Sequence, residues 1–394
     1  MRPPPLALYI HTPWCVRKCP YCDFNSHAAG SHPPFAAYVE RLLADLDEEL
    51  LRPAARRPLV SIFIGGGTPS LMPGDAIAAL LDGVRARTSL ATNCEITLEA
   101  NPGATDNAHL ADYRQAGVNR LSIGVQSLSA LQLERLGRIH DPAGACAAVA
   151  AARAAGFDNL NLDLMFALPG QTLDEALADL EALIALGPEH ISYYQLTLEP
   201  NTAFYAQPPE LPDADLAADI AVQGRRLLSA GGYGQYEVSA YARPGRHCRH
   251  NLNYWRFGDY LGIGAGAHGK LTDPSDGRIR RRAKHRHPGA YLSAAPGTFV
   301  SGERLLDKED RIFEFALNAF RLTGGFERRL FEETTGLSWA HVAPIVTAAV
   351  GDGLLRVTDE RMEPTELGRD FADALVTRFM VQSGTEPVAG DRRQ

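Results

Sequence analysis

Cys15, Cys19 and Cys22 share one short stretch, Tyr9-Ile-His-Thr-Pro-Trp-Cys15-Val-Arg-Lys-Cys19-Pro-Tyr-Cys22-Asp-Phe. Thiolates bind zinc or iron–sulfur clusters. Structural zinc sites commonly pair two knuckles from distant parts of a chain. No second knuckle follows here, although His11 or His27 offers a fourth ligand, so zinc stays open, as does a disulfide. Three thiolates on one loop can hold three corners of a cubane cluster. The fourth iron is then free to chelate the amine and carboxylate of an amino-acid-like ligand. The other cysteines, Cys94, Cys146 and Cys248, are scattered, and each reads as a small buried hydrophobe.

A second set of polar residues follows short apolar runs. Gly65-Gly66-Gly67-Thr68-Pro69 closes one run, and glycines there let backbone approach a ligand and present N–H groups. Glu99, Gln126 and Asp163 stand at or near the ends of three more. The elements that must position them alternate. Strands are expected at Leu6–His11, Leu59–Ile64, Glu95–Glu99, Arg120–Gln126, Asn159–Leu164 and His190–Leu198. Helices are expected near 35–51, 74–87, 106–116, 143–155, 173–186 and 213–230. Gly117 and Gly156 read as helix stops, and Thr172 or Asp174 as a helix start. Six β–α units imply a parallel sheet, short of the eight that close a barrel. The expected fold is α/β, an open, partial (β/α)6 barrel with its chemistry at the C-terminal strand ends.

The barrel is expected over residues 1–235. Residues 236–300, rich in Gly, Tyr and Arg without clear period, read as an irregular linker. Residues 301–382 read as a small helical, winged-helix-like domain. Its helices fall at Asp310–Phe320, Glu327–Glu333 and Trp339–Val350, before a hairpin of Leu354–Thr358 and Arg361–Pro364. The polar tail 383–394 reads as disordered. Winged-helix modules often bind DNA, but Trp339–Val350 carries no Arg or Lys, and the module reads as a lid or partner surface.

The chain has 394 residues and a net charge of −8. That balance argues against a general nucleic-acid binder. No apolar run approaches a membrane span and no secretory signal is evident, so the expected location is cytoplasmic. The one strongly basic run, Arg278 to His287, reads as a solvated face, or else as a patch that attracts heme propionates, an anionic membrane surface or an acidic partner.

CxxxCxxC directly after the first strand resembles the radical-SAM superfamily. That resemblance implies a [4Fe-4S] cluster on Cys15, Cys19 and Cys22 with S-adenosylmethionine (SAM) on its open iron, and Tyr21 against the adenine. Tyr9-Ile-His-Thr-Pro, Gly65–Pro69, Leu98-Glu-Ala-Asn-Pro102, Ser122-Ile-Gly-Val-Gln126-Ser, Leu136-Gly-Arg138 and Asn161-Leu-Asp163-Leu-Met165 resemble the oxygen-independent coproporphyrinogen III dehydrogenase family. The match implies that Tyr9, Gly66, Gly67, Thr68 and Glu99 contact SAM. It also implies that Gln126, Arg138 and Asp163 line the adjoining second-SAM or substrate space.

Two departures stand out. Cys22-Asp23-Phe24 lacks the dehydrogenase's fourth cysteine, and Phe166-Ala167 stands where His-Gly is expected. The first, with His250-Asn-Leu-Asn-Tyr254-Trp255 as an HNxxYW signature, resembles the HemW branch of heme chaperones. This implies heme and acceptor hemoproteins as partners, with His250 as a heme ligand and His247 or Cys248 as rivals. The alternative is a radical-SAM oxidoreductase that abstracts hydrogen from coproporphyrinogen III or a related substrate. Dimerisation stays open.

Overall fold

The structure, a computed structural model, describes residues 2–103 and 108–380. The expected tail 383–394 and the start of the helix expected at 106–116 fall outside the described residues.

Six parallel strands follow one another in space as in sequence: Leu6–Thr12, Leu59–Gly66, Leu90–Ala100, Arg120–Gln126, Leu160–Phe166 and His190–Gln195. Their outward-facing residues are apolar because helices cover that face, while inward-facing Ser122, Asn161 and Asp163 line a polar interior. Leu6, Ala7, Leu8 and Ile10 are all buried. The crossover helices include Phe35–Glu49, Gly74–Arg87, Pro142–Ala154, Leu173–Ala185 and Ala214–Ala230. Thr172 starts one of them in a capping box with Glu175, and Gly117 ends another at φ 104°.

The segment expected to be an irregular linker is regular. Asp259–Ile263 runs parallel to the first strand, pairing Leu6 with Asp259 and Tyr9 with Gly262. His268–Asp273, Arg278–Lys284 and Val300–Leu305 continue the sheet antiparallel. At the other edge Ala240–Ala242 and Gly234–Glu237 extend it beyond His190–Gln195. Between these edges the helix Arg249–Trp255 lies under the N-terminal ends of the first two strands.

The basic run is not a solvated face. Its alternating side chains meet carboxylates of neighbouring elements. Arg280 pairs with Asp273, Asp276 and Glu303, Arg281 with Glu314, and Arg282 with Glu48, Glu49 and Glu303. Lys284 is buried against Asp45 and Glu49, and Asp45 also accepts from the Tyr291 hydroxyl at 2.7 Å. The charges that would attract propionates or a membrane are therefore largely neutralised, and Arg286 is left exposed. Removing one partner strands buried charge, at a typical cost of about 3–5 kcal/mol. Lys284→Met should lower the free energy of denaturant unfolding by about that much. A loss below about 1 kcal/mol would show that the cluster is not a structural latch.

A second core, with Phe257, Phe315, Phe320, Phe326, Phe331, Val346 and Met362, belongs to the C-terminal domain. Helices Lys308–Ala319, Arg328–Thr335 and Ala343–Gly351 pack beside a three-stranded sheet of Phe326–Glu327, Arg361–Pro364 and Leu355–Thr358. Two further helices, Glu366–Asp370 and Ala372–Thr377, were not legible in the sequence. Among the described residues no helix is long and apolar enough to cross a membrane.

Candidate radical-SAM site and its family

At the C-terminal end of the six strands a cavity of about 340 Å³ opens. Cys15, Cys19, Cys22, Tyr21, Gly66, Gly67, Thr68, Glu99, Gln126, Arg138 and Asp163 all line it. The three thiols are free. Among the described residues no three of His, Cys, Asp and Glu converge on a single-ion position. Phe24, where a fourth cysteine was looked for, is 61% exposed and also lines the cavity. Cys94 and Cys248 are buried as expected, but Cys146 is exposed on the helix Pro142–Ala154.

Each cysteine sulfur has a polar neighbour. Thr68 Oγ1 lies 3.4 Å from Cys15 Sγ, Arg138 Nη1 3.6 Å from Cys19 Sγ, and Ser26 Oγ 4.0 Å from Cys22 Sγ. Asn101 links the first two. It donates to Thr68 Oγ1 at 2.9 Å and accepts from Arg138 Nη2 at 2.8 Å. In the sequence Asn101 is only part of a strand end, and in the structure it is the hinge of this network. Such outer contacts orient ligands and tune a cluster.

The glycines serve the loop more than a ligand. Gly67 N–H donates to Thr12 O and Thr68 N–H to Trp14 O, both at 2.7 Å. A Cβ on Gly66 would meet the His11 ring at 2.7 Å and one on Gly67 the Trp14 carbonyl at 2.5 Å. Gly66, at φ 122°, aims its N–H at Glu99 Oε2, 3.0 Å away. Burial first, then the nearby Asp163, pushes the Glu99 pKa up to about 7. Asp163, also raised by burial, accepts from Asn161 Nδ2 at 2.7 Å. Gln126 sits at φ 66° with its Oε1 accepting from Tyr194 OH at 2.7 Å.

Two expected site residues do not line the cavity. Tyr9 stacks on Phe63 at 6.4 Å, and its hydroxyl lies 2.9 Å from His11 Nδ1. His250 is 1% exposed beneath the floor. Its Nδ1 is 3.0 Å from Ser61 Oγ and its Nε2 2.8 Å from Tyr254 OH, so neither nitrogen is free for heme iron. Trp255 is likewise engaged, under the Arg321 guanidinium at 4.3 Å. The HNxxYW segment is a plug in this structure, not an open ligand set. His247 differs. It is exposed and stacks on Tyr236 at 4.3 Å.

Burial pushes the His250 pKa down from 6.5 to about 3. A group lowered in the fold stabilises it above the unfolded value and loses that contribution as pH falls from 6.5 towards 3. In that window its share changes by about 1.4 kcal/mol per pH unit. The urea midpoint of the wild type should therefore fall more steeply below pH 6 than that of His250→Gln. Parallel curves would mean that the imidazole is not held neutral.

Two family models match the chain: the radical SAM superfamily over residues 9–183 and the HemN C-terminal domain over residues 306–371. Heme chaperone HemW of Escherichia coli is 52% identical over 379 residues, covering 96% of this chain and 99% of that one. The chain belongs to the HemW family of radical-SAM proteins. Heme chaperone HemW of Haemophilus influenzae is 49% identical, with 96% of this chain and 99% of that one covered. The solved structure of coproporphyrinogen III oxidase (HemN) from Escherichia coli, a radical SAM enzyme, superposes with a TM-score of 0.80. It covers 96% of this chain and 91% of that one at 22% identity, so it speaks to the fold: the radical-SAM barrel with a HemN-type C-terminal domain.

Proposed function

We propose that this HemW-family chain is a heme chaperone that carries a [4Fe-4S] cluster and SAM and passes heme to acceptor hemoproteins in the cytoplasm. The observation that carries the reading is similarity over nearly the whole length to proteins named heme chaperones. The donor set fits the cofactors. Three free thiols line one cavity wall, each with a polar neighbour, and no fourth thiolate competes for the remaining corner.

Cys15, Cys19 and Cys22 would hold the cluster, whose unligated iron supplies a chelation point and an electron to bound SAM. Thr68, Arg138 and Asn101 orient the thiolates. Glu99 would accept a hydrogen bond from the amine of SAM, and Tyr21 offers a ring to adenine. Tyr9 supports the site from below through His11 and Phe63. Heme is cargo, and its contact in the 236–300 region falls to His247, whose ring stands at the surface while that of His250 is spent inside.

The alternative, a radical-SAM oxidoreductase acting on a porphyrinogen, is favoured by one observation: the cavity runs on into a polar barrel interior. A single preparation separates the readings. Anaerobically reconstituted protein should bind heme saturably and transfer it to an apo-hemoprotein, with His247→Ala weakening binding and His250→Gln leaving the Soret band unchanged. With coproporphyrinogen III, SAM and a reductant it should form no protoporphyrinogen. Turnover without saturable heme binding would sink the chaperone reading.

A further inference from the structure

A second cavity, of about 730 Å³ against about 340 Å³ at the SAM rim, opens at the other end of the barrel. It lies between the proline arm of residues 3–5, Pro58 and Val60 at the start of the second barrel strand, the helix Arg249–Trp255, and Leu330 of the C-terminal domain. Its walls are mainly apolar. Arg57 fixes the arm, because its guanidinium donates to Pro4 O and pairs with Asp259 at 2.6 Å.

Helical spacing sorts the HNxxYW segment onto two faces. His250 and Tyr254 turn inward and bond each other. Arg249, Leu252, Asn253 and the cap residue Arg256 line the groove instead. The charges at its mouth are one-sided. Arg2, Arg249 and Arg256 are exposed, and no carboxylate pairs with any of the three among the described residues. Arg249 donates to Asn93 O at 2.6 Å, and no hydrogen bond holds the side chain of Arg2 or Arg256 among the described residues. Glu333 is the one acidic residue in the lining. This is the reverse of the run Arg280–Arg282, whose guanidiniums are all matched to carboxylates. Apolar walls with unmatched guanidiniums at the rim fit an apolar ligand with anionic ends.

We propose that this groove is the seat of the heme cargo, with the ring against Leu252, Leu330 and the proline arm and the propionates at Arg2, Arg249 and Arg256. The inference rests on the chaperone reading and gives its cargo a place. Heme is a flat apolar ring with two carboxylates on one edge, and a guanidinium takes a carboxylate in bidentate fashion. The groove volume sits well inside the range of about 300–1,000 Å³ for ligand sites, whereas the rim cavity is at its small end. No His, Cys, Met or Tyr lines the groove, so nothing within it grips the iron. His247 stands beside it: its ring stacks on Tyr236, which packs against Leu252. Heme held by its faces and its propionates, with contact to the iron only from the edge, is free to leave, as a carrier requires.

Heme titration of full-length, cluster-reconstituted protein, followed at the Soret band, tests the seat. The wild type should bind heme about ten-fold more tightly than heme dimethyl ester, which lacks the anions. The double variant Arg2→Glu/Arg256→Glu should weaken heme by about ten-fold or more and erase its advantage over the ester. Iron content and thermal midpoint should stay as in the wild type. Arg286→Glu changes an exposed arginine outside the groove and should leave heme affinity unaltered. The comparison of acid and ester needs no variant, so it decides the matter if the double variant fails to fold. Equal binding of acid and ester, unaltered affinity in the folded double variant, or an equal loss in Arg286→Glu would each overturn the seat while the chaperone reading stands. A wild type without saturable heme binding would overturn both.

Discussion

Single replacement of Cys15, Cys19 or Cys22 by alanine should drop the iron of reconstituted protein from about four atoms per chain to near none. The brown chromophore and the EPR signal of the reduced cluster should go with it. A cubane held by three protein thiolates has no spare ligand, and no other Cys, His, Asp or Glu joins two of these thiols to form an ion position among the described residues. Cys146, exposed on its helix, and Cys94, buried on the third strand, serve as controls and should keep full iron. Stoichiometric zinc in anaerobically purified protein, with failure to take up iron and sulfide, would refute the cluster assignment. Iron retained in any of the three variants would refute the ligand set.

The barrel was legible because buried parallel strands read as short apolar runs and glycines mark helix ends. Gly117 and Gly156 do take positive φ. The rim was legible for the same reason: Glu99, Gln126 and Asp163 fall where those runs stop, and all three reach one cavity. The sheet beyond residue 236 was hidden by its own packing. Gly262 lies so close to the His268 backbone that no side chain fits between them, so a strand there carries the glycine that elsewhere signals a loop. The basic run misled because charge along a sequence says nothing of partners that folding brings from the helix Phe35–Glu49 and from Glu303 and Glu314.

The expectation at His250 meets the same limit, that folding supplies partners a sequence does not show. An imidazole beside Tyr and Trp suggests heme ligation until Ser61 and Tyr254 are seen to occupy both nitrogens. The polar interior of the barrel does leave a signal in the sequence. Arg120, Ser122, Asn161 and His190 are polar residues at period two inside otherwise apolar strands, the pattern of a polar barrel interior.

SAM affinity should rise with pH until Glu99 is ionised. The Glu99 carboxyl is held at about 7 by burial, and its Oε2 accepts from Gly66 N–H at 3.0 Å. An N–H donor placed beside it favours the carboxylate, the better acceptor, so binding is coupled to proton loss. Below pH 7 the apparent Kd should weaken about ten-fold per pH unit, and above it the curve should flatten. Glu99→Gln keeps the shape but not the charge. It should cost about 1.5–3 kcal/mol, the range for hydrogen bonds to charged groups, or ten-fold and more in Kd at pH 8. The same substitution should remove the pH dependence while leaving iron content alone, because no cysteine contacts this carboxylate. The perturbation of the reduced cluster's EPR spectrum by added SAM reads both quantities on one sample. A wild-type Kd that is flat between pH 6 and 8 and matches that of Glu99→Gln would show that the amine is held elsewhere on the rim.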